Sequence, residues 1–374
     1  MPREVCSRTS KLKSSTISSQ KRKQELMDRL HVSEVEHKLR TANARLAQQL
    51  DLAKAKTEDY TRAVASAIDT AVGGIVIPPV AMPKLVGTGK GTPESAIITL
   101  GDLQVGKPTE TYDSRIASIR VADYAERIIK LTSIMRHDHP VTDARVYLLG
   151  DIVEGEIIFP HQPHQIDSSL FIQIKDGAEI VTNFLRQLLT SFQRVHVVAI
   201  AGNHGRLSES RRYHPESNAD RFVYQMARGL LRDEKRLTWV VPSDWYAIDY
   251  PFYGHDKVPG LGTLPGQENH GFLIFHGHQI PGTANHSVAT VGRHIYGWAS
   301  GAVREPFDYA IYGHWHTSRR YRFNKYVAWC NGAVESSDPY AQEKLAATGR
   351  PEQLLLFVHP RVGVTAEYWV HLEE

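Results

Sequence analysis

Five short stretches of this chain carry side chains suited to gripping a metal ion. They are Asp102 and Gln104 in "GDLQ", Asp151 and Glu154 in "GDIVEGE", Asn203 and His204 in "GNH", His276 and His278 in "FHGH", and His314 and His316 in "GHWH". Each stretch follows an apolar run of strand type. Side chains two apart on a strand project the same way, so His276 and His278, and likewise His314 and His316, face a common side. Each stretch also holds a glycine, which lets backbones approach closely. One polar strand end says little; five in succession, all carboxylate, amide or imidazole, imply a shared pocket. The set mixes hard and borderline ligands without a thiolate, which suits Mn, Fe or Zn better than Ca or a structural Zn site. It is also too large for one ion. Two ions about 3.5–4 Å apart can share a carboxylate, activate water between them and clamp the attacking and leaving oxygens at phosphorus. Hydrolysis of a phosphate ester is the chemistry this arrangement serves best.

The elements that must position these residues alternate along the chain. "SAIITLGD", "ARVYLLGD" and "RVHVVAIAGNH" read as strands. Between and after them lie the amphipathic segment "SRIASIRVADYAERIIKLTSIMRH" and helices over about 168–192 and 216–233. Then come the strand "GFLIFHGH", a helical stretch near 285–300, the strand "DYAIYGH", and further strand-like pieces including "QLLLFVHP" and "TAEYWVHL". Strand–helix alternation predicts an α/β fold, and the late strands predict a mixed sheet or a second sheet packed on the first. Sites in open α/β sheets form outside the carboxyl ends of the strands, where the five stretches fall.

The order of these motifs resembles the calcineurin-like metallophosphoesterase superfamily over residues 96 to about 335. The resemblance implies a four-layer α/β fold, two packed mixed sheets flanked by helices. It implies that Asp102, Gln104, Asp151 and His316 hold one metal ion, and that Asp151, Asn203, His276 and His314 hold a second, with Asp151 bridging. His204 would protonate the leaving oxygen and Glu154 would orient it; a carboxylate partner favours the protonated imidazole that an acid catalyst needs. The expected cofactor is therefore a pair of divalent ions, Mn first, with Fe, Zn, Mg or Ni as alternatives. The family usually has histidine where this chain has Gln104, which implies a weaker first site. It usually has an acid after GNH, where this chain has Gly205 and then Arg206, a candidate phosphate contact or a surface arginine. The motifs look closer to SbcD-type repair exonucleases and phage-encoded phosphoesterases than to protein phosphatases, because Gly155 stands where the latter carry arginine. A DNA phosphodiester is thus the expected substrate. A phosphatase or cyclic-nucleotide phosphodiesterase, and a catalytically weakened adaptor on the same fold, are the rivals.

Further candidates surround this set. His161 and His164 ("FPHQPHQ") and His278 are possible substrate contacts, or polar loop and supporting residues. Arg211, Arg212 and His214 are a possible receptor for a nucleic-acid backbone, or a solvated cluster. The Arg-aromatic stretch "RRYRF" at 319–323 suits base stacking or an exposed sheet edge. His286 and His294 read as packing or surface residues.

The chain has 374 residues, a net charge of +3 and 19 histidines, fifteen of them from His161 onward. Residues 1–60 carry 13 Lys/Arg and 8 Asp/Glu, a net +5, leaving about −2 for the rest. Residues 1–24 read as a basic disordered arm, with a weak hold on nucleic acid as its functional reading. Residues 25–72 read as a long helix, with Val32, Val35, Leu39, Ala42 and Leu46 at coiled-coil spacing; it offers self-association or a protein partner. A Gly/Pro linker spans 73–95, and the catalytic domain spans 96–374. Two cysteines, Cys6 and Cys330, argue for a reducing compartment. "AVGGIVIPPVAM" is too short and too rich in Pro and Gly to span a bilayer, and residues 1–15 lack a signal-peptide core. A cytoplasmic protein with no membrane contact is the expectation.

Overall fold

A computed structural model describes residues 59–85, 89–158, 162–207, 217–252, 270–282, 287–336 and 349–373, with isolated helical positions 41, 45 and 48. The heptad positions Val32, Val35, Leu39, Ala42 and Leu46 and the basic arm lie outside these residues. Residues 60–374 form one compact unit.

Two sheets and five described helices build that unit. The first sheet runs β11(Gly363–His371), β10(Glu352–His359), β1(Ser95–Leu100), β2(Asp143–Leu148), β3(Arg194–Ala199), β4(Leu237–Val240). The neighbours from β1 to β4 are parallel, and β10 runs antiparallel to β1 and β11. The second sheet runs β5(Tyr246–Asp249), β6(Phe272–Phe275), β7(Tyr309–Tyr312), β9(Tyr326–Cys330), β8(Arg319–Phe323), with β6, β7 and β9 parallel. Helices α2(Ser114–Met135), α3(Leu170–Leu189) and α4(Ala219–Leu230) cover the first sheet, and α5(Val288–Gly297) covers the second.

Alternation along each strand divides the core into three layers. On β1, Ile98 and Leu100 pack toward Val121, Ile128, Phe184 and Leu188 of the helices. Ile97 faces the other way, with Tyr147, Val198, Leu356, Ile274 and Trp329 between the sheets. Phe275, Tyr312 and Cys330 point out of the second sheet onto Val291 and Ile295 of α5. The order is helix, sheet, sheet, helix, as the sequence predicts. The four-residue strands β4 and β5 carry little periodicity of their own. The "RRYRF" stretch is the edge strand β8, with Arg320 exposed and Tyr321 buried.

A helix over 59–73 (α1) buries Ile68 and Val72, and its Ala65 carbonyl and Asp69 carboxylate accept from Gln225 of α4. The described residues of the Gly/Pro segment after it, 74–85 and 89–94, form no helix or strand, consistent with their composition, yet part of this stretch lies against the unit. Arg232 donates to the carbonyls of Val72, Gly73 and Ile75. Arg186 donates to Pro78, Val80 N–H donates to Glu234, and Arg236 donates to the Val80 carbonyl. A Pro-rich backbone cannot satisfy its own carbonyls, and arginine forks supply the donors.

Two polar devices join the sheets. Arg145 on β2 donates to Asp249 on β5 at 3.0 Å and to the Pro251 carbonyl at 2.7 Å, while Tyr147 donates to the same carboxylate at 2.8 Å. Under the site, Thr99, Asn331 and Gln353 form a buried network. Thr99 donates to Asn331 Oδ1 at 2.8 Å, Asn331 Nδ2 to Gln353 Oε1 at 2.8 Å, and Gln353 Nε2 to the carbonyls of Gly101 and Gly332. It ties the ends of β1 and β9 to the start of β10. Removing one member of a buried ion pair strands the other, so Asp249→Ala should lose about 3–5 kcal/mol of stability in urea denaturation; a loss below about 1 kcal/mol would show that the pair does not clamp the sheets.

Candidate metal centre

Because the central strands of both sheets are parallel, their carboxyl ends open at one edge. β1, β2 and β3 end level, with Leu100, Leu148 and Ala199 in register, as do β6, β7 and β9 at Phe275, Tyr312 and Cys330. The residues that follow turn abruptly. Among the described residues, six other than glycine have left-handed backbone: Asp102 (φ 51°), Gln104 (48°), Asp151 (50°), His314 (73°), His316 (51°) and Asn324 (49°). Five of these are the ligand candidates read from the sequence. Left-handed backbone costs about 1–2 kcal/mol for a residue with a Cβ, and it persists where its surroundings over-determine it, typically at functional sites.

Those surroundings are specific. A Cβ on Gly202 would lie 2.0 Å from Asp151 Oδ1, and one on Gly313 would lie 2.4 Å from Asp102 Oδ2. Both carboxylates therefore rest against bare backbone. Asp151 Oδ1 accepts from His204 N–H at 2.7 Å, and Asp102 accepts from His314 N–H at 2.9 and 3.1 Å. Asp220, at the start of α4, is fully buried and accepts from the N–H groups of Asp151 (2.9 Å), Ile152 (3.0 Å) and Gly202 (2.8 Å). Burial first, then the Asp151 charge, push its carboxyl up to about 6.

Asp151, His276 and His314 bring one ligand atom each to within 4.8 Å of one another. His276 Nδ1 donates to the Leu149 carbonyl at 2.7 Å. Its Nε2 faces Asn203 Oδ1 and Asp151 Oδ2, each at 3.0 Å. Burial, then His276, hold the His314 imidazole well below its ordinary range, keeping it neutral. Asp151 Oδ2 is buried, and the His276 ring nitrogen is the group turned onto it. Lone pairs converging on a buried carboxylate oxygen fit a divalent cation, and a carbonyl fixing the distal nitrogen of a ligating histidine is usual at such sites.

The other group is arranged differently. His316 Nε2 lies 3.4 Å from Asp102 Oδ1 and 3.1 Å from Gln104 Nε2. His316 Nδ1 donates to Glu335 Oε1 at 2.7 Å. Burial alone would lower the His316 imidazole, but hydrogen bonds to Asp102 and Glu335 hold it up at about 10. Lys107 Nζ donates to Gln104 Oε1 at 2.9 Å.

His204 stands beside Asp151. Its Nδ1 donates to the Glu154 carbonyl at 3.0 Å and faces Glu154 Oε2 at 3.2 Å, and its Nε2 lies 4.0 Å from Asp151 Oδ2. Burial lowers its imidazole, yet the Asp151 and Glu154 charges outweigh that and hold it at about 9. Gln162 in turn donates to Glu154 Oε1 at 2.9 Å. The His278 ring lies tilted to its neighbours, its centroid 5.5 Å from that of His276 and 6.1 Å from that of His314. Arg206 follows the GNH loop, in a bridge with Asn218. His164 is exposed on a single turn at 162–164. His294 packs on Trp298. His161, Arg211, Arg212, His214 and His286 lie outside the described residues.

Sequence reasoning missed three residues. Asp220 is signalled only as an acid in the first turn of a helix, Glu335 as an acid after the strand "YVAWCNGAV", and Lys107 as the cation closing "GDLQVGK".

No protein-family model and no curated protein matches the chain. Among solved structures, Vps29 of Entamoeba histolytica in complex with zinc is similar at 13% identity and TM-score 0.33, covering 74% of this chain and 99% of that one. A conserved uncharacterized protein of Streptococcus pneumoniae, described as a predicted phosphoesterase, matches at 12% identity and TM-score 0.28, covering 74% and 98%. An archaeal phosphodiesterase matches at 11% identity and TM-score 0.31, covering 74% and 99%. The chain's own layers and strand order, with the ligand pocket at the carboxyl ends of the parallel strands, agree with the four-layer α/β arrangement that the motif resemblance implies. No described helix is long and apolar enough to cross a membrane.

Replacing Asp220 by asparagine puts an amide donor against buried backbone N–H groups, so Asp220→Asn should cost about 2–3 kcal/mol in urea denaturation; wild-type stability would show that this carboxylate does not hold the Asp151 loop.

Proposed function

We propose that the chain is a metal-dependent phosphoesterase cleaving phosphodiesters, with DNA as its leading substrate. The observation that carries this reading is the convergence of Asp151, His276 and His314 in a buried pocket, with the His204–Glu154 pair alongside. Asp151, Asn203, His276 and His314 would hold a divalent ion, and Asp102, Gln104 and His316 are proposed, with Asp151, as the holders of a second. Such an ion supplies Lewis-acid polarisation of a phosphoryl oxygen and of water.

The chain's own residues do the rest. Glu154 fixes the His204 ring through Nδ1, leaving Nε2 to carry a proton toward the pocket. A neighbouring pair of carboxylates keeps that proton in place at neutral pH. As the bond from phosphorus to the leaving oxygen breaks, His204 donates this proton to that oxygen, and a water that has released one proton to solvent forms the new bond to phosphorus. His278 and Arg206 are proposed to contact the substrate. The choice of DNA rests on the motif likeness to SbcD-type exonucleases and on the basic arm at 1–24. Manganese as the native ion, a reducing cytoplasmic setting and a partner for the N-terminal helix are further parts of the proposal.

With manganese supplied, Asp151→Asn and His204→Ala should each lower hydrolysis of bis-p-nitrophenyl phosphate by about 100-fold or more. Wild-type rates in both would contradict the reading. In a panel of monoesters, cyclic nucleotides and single- and double-stranded DNA, preference for DNA is expected; preference for a monoester or cyclic nucleotide would move the assignment to the small-molecule rival, and no turnover at all to the adaptor.

A further inference from the structure

The two halves of the pocket differ in what already fills them. Around Asp151, His276 and His314 the ligand atoms face one another within 4.8 Å. Around Gln104 the ligating oxygen faces a lysine instead. Lysine's ammonium has only donors, so the Gln104 atom 2.9 Å from Lys107 Nζ is the carbonyl oxygen, and the amide's orientation follows. That oxygen is the one atom of the side chain able to ligate a metal. The amide's NH2 group then faces His316 Nε2 at 3.1 Å. His316 Nδ1 donates to Glu335, and its Nε2 also lies 3.4 Å from Asp102 Oδ1. One of the four ligands expected at this position thus has its only ligating atom engaged by the chain itself.

Lys107 is held in place rather than swinging free. Its N–H closes a turn on the Gln104 carbonyl at 3.0 Å. Gly106 takes φ 107° inside that turn, and a Cβ there would strike Gln173 at 2.4 Å. Gly106 N–H is anchored on Ser114 Oγ at 2.9 Å. The ammonium also lies 3.7 Å from Glu335 Oε2, and the Lys107 side chain is only 13% exposed. A positive charge thus sits beside the ligands of the first position, where it repels a second cation and attracts a phosphate oxygen.

We propose that Lys107 takes the place of one of the two ions. The chain loads a single divalent cation, on Asp151, Asn203, His276 and His314, and the Lys107 ammonium supplies the second positive charge at the scissile phosphate. Gln104, in place of the usual histidine, is then the partner that positions this lysine. The inference rests on the phosphoesterase reading above and narrows it.

Manganese titration of the metal-free full chain, followed by electron paramagnetic resonance and by metal content after dialysis, tests it. Wild type should bind a single ion with the resolved spectrum of an isolated centre. Lys107→Ala should keep that ion and lower phosphodiester turnover about 100-fold, as expected for removing one charge-stabilising group, with part of the rate restored by Lys107→Arg. The double variant Gln104→His/Lys107→Ala should gain a second, spin-coupled ion. Two ions in wild type, undiminished turnover in Lys107→Ala, or a double variant that stays at one ion would each overturn the proposal while leaving the phosphoesterase reading intact. Wild type that binds none would instead remove that reading itself.

Discussion

Three of the strands that feed this pocket, β1, β2 and β7, end in backbone turns that an L-residue resists. Asp102, Gln104, Asp151, His314 and His316 all hold left-handed φ, at about 1–2 kcal/mol each. The rest of the pocket can be understood as the set of contacts that keeps these turns from relaxing. Gly202 and Gly313 leave room for the carboxylates, and backbone N–H groups of His204 and His314 fasten them. Asp220 gathers three further N–H groups beneath Asp151. Strain at one place is offset by hydrogen bonds at another, and the side chains that emerge from the turns have little freedom left to lose when they meet a ligand.

The two-sheet architecture makes this possible. Parallel strands put their carboxyl ends at one edge, so five separate turns meet there without long loops. The buried Thr99–Asn331–Gln353 network holds that edge at the right level across the sheets. It also places the 334–336 segment, because Val334 N–H donates to the Asp102 carbonyl at 3.1 Å and Arg120 of α2 donates to the Val334 carbonyl at 2.7 Å. Glu335 thereby reaches His316. Core, network and site are one connected structure, in which a change far from the pocket can move a ligand.

Much of this was legible in the sequence, for a physical reason. Apolar runs that stop at Asp102, Asp151, Asn203, His276 and His314 announce both buried strands and their exits, so the layered fold and the meeting of these residues follow from the pattern. The supporting residues were less visible. Asp220 looks like any acid favouring a helix start, and only the fold brings it under Asp151. Glu335 and Gln353 act across more than two hundred residues of sequence on Lys107 and Gly101, a pairing that no local period encodes. Lys107 was in plain sight, three residues after Gln104, but its role depends on a turn closed by Gly106. The short strands β4 and β5 had too few residues to show alternation. Residues 73–95 read as a linker from their glycines and prolines, while arginines 186, 232 and 236 hold the 72–80 stretch to the core.

The central claim is that these turns exist to aim Asp151, Asn203, His276 and His314 at one cation. The most direct measurement is a crystal structure of the protein grown with manganese, with data collected at wavelengths that reveal the metal's anomalous scattering. The account predicts a peak within about 2.0–2.3 Å of Asp151, His276 and His314 together, the range usual for such ligands. A crystal in which manganese binds elsewhere, or in which these side chains are separated with their strand-end turns relaxed to ordinary backbone angles, would contradict it.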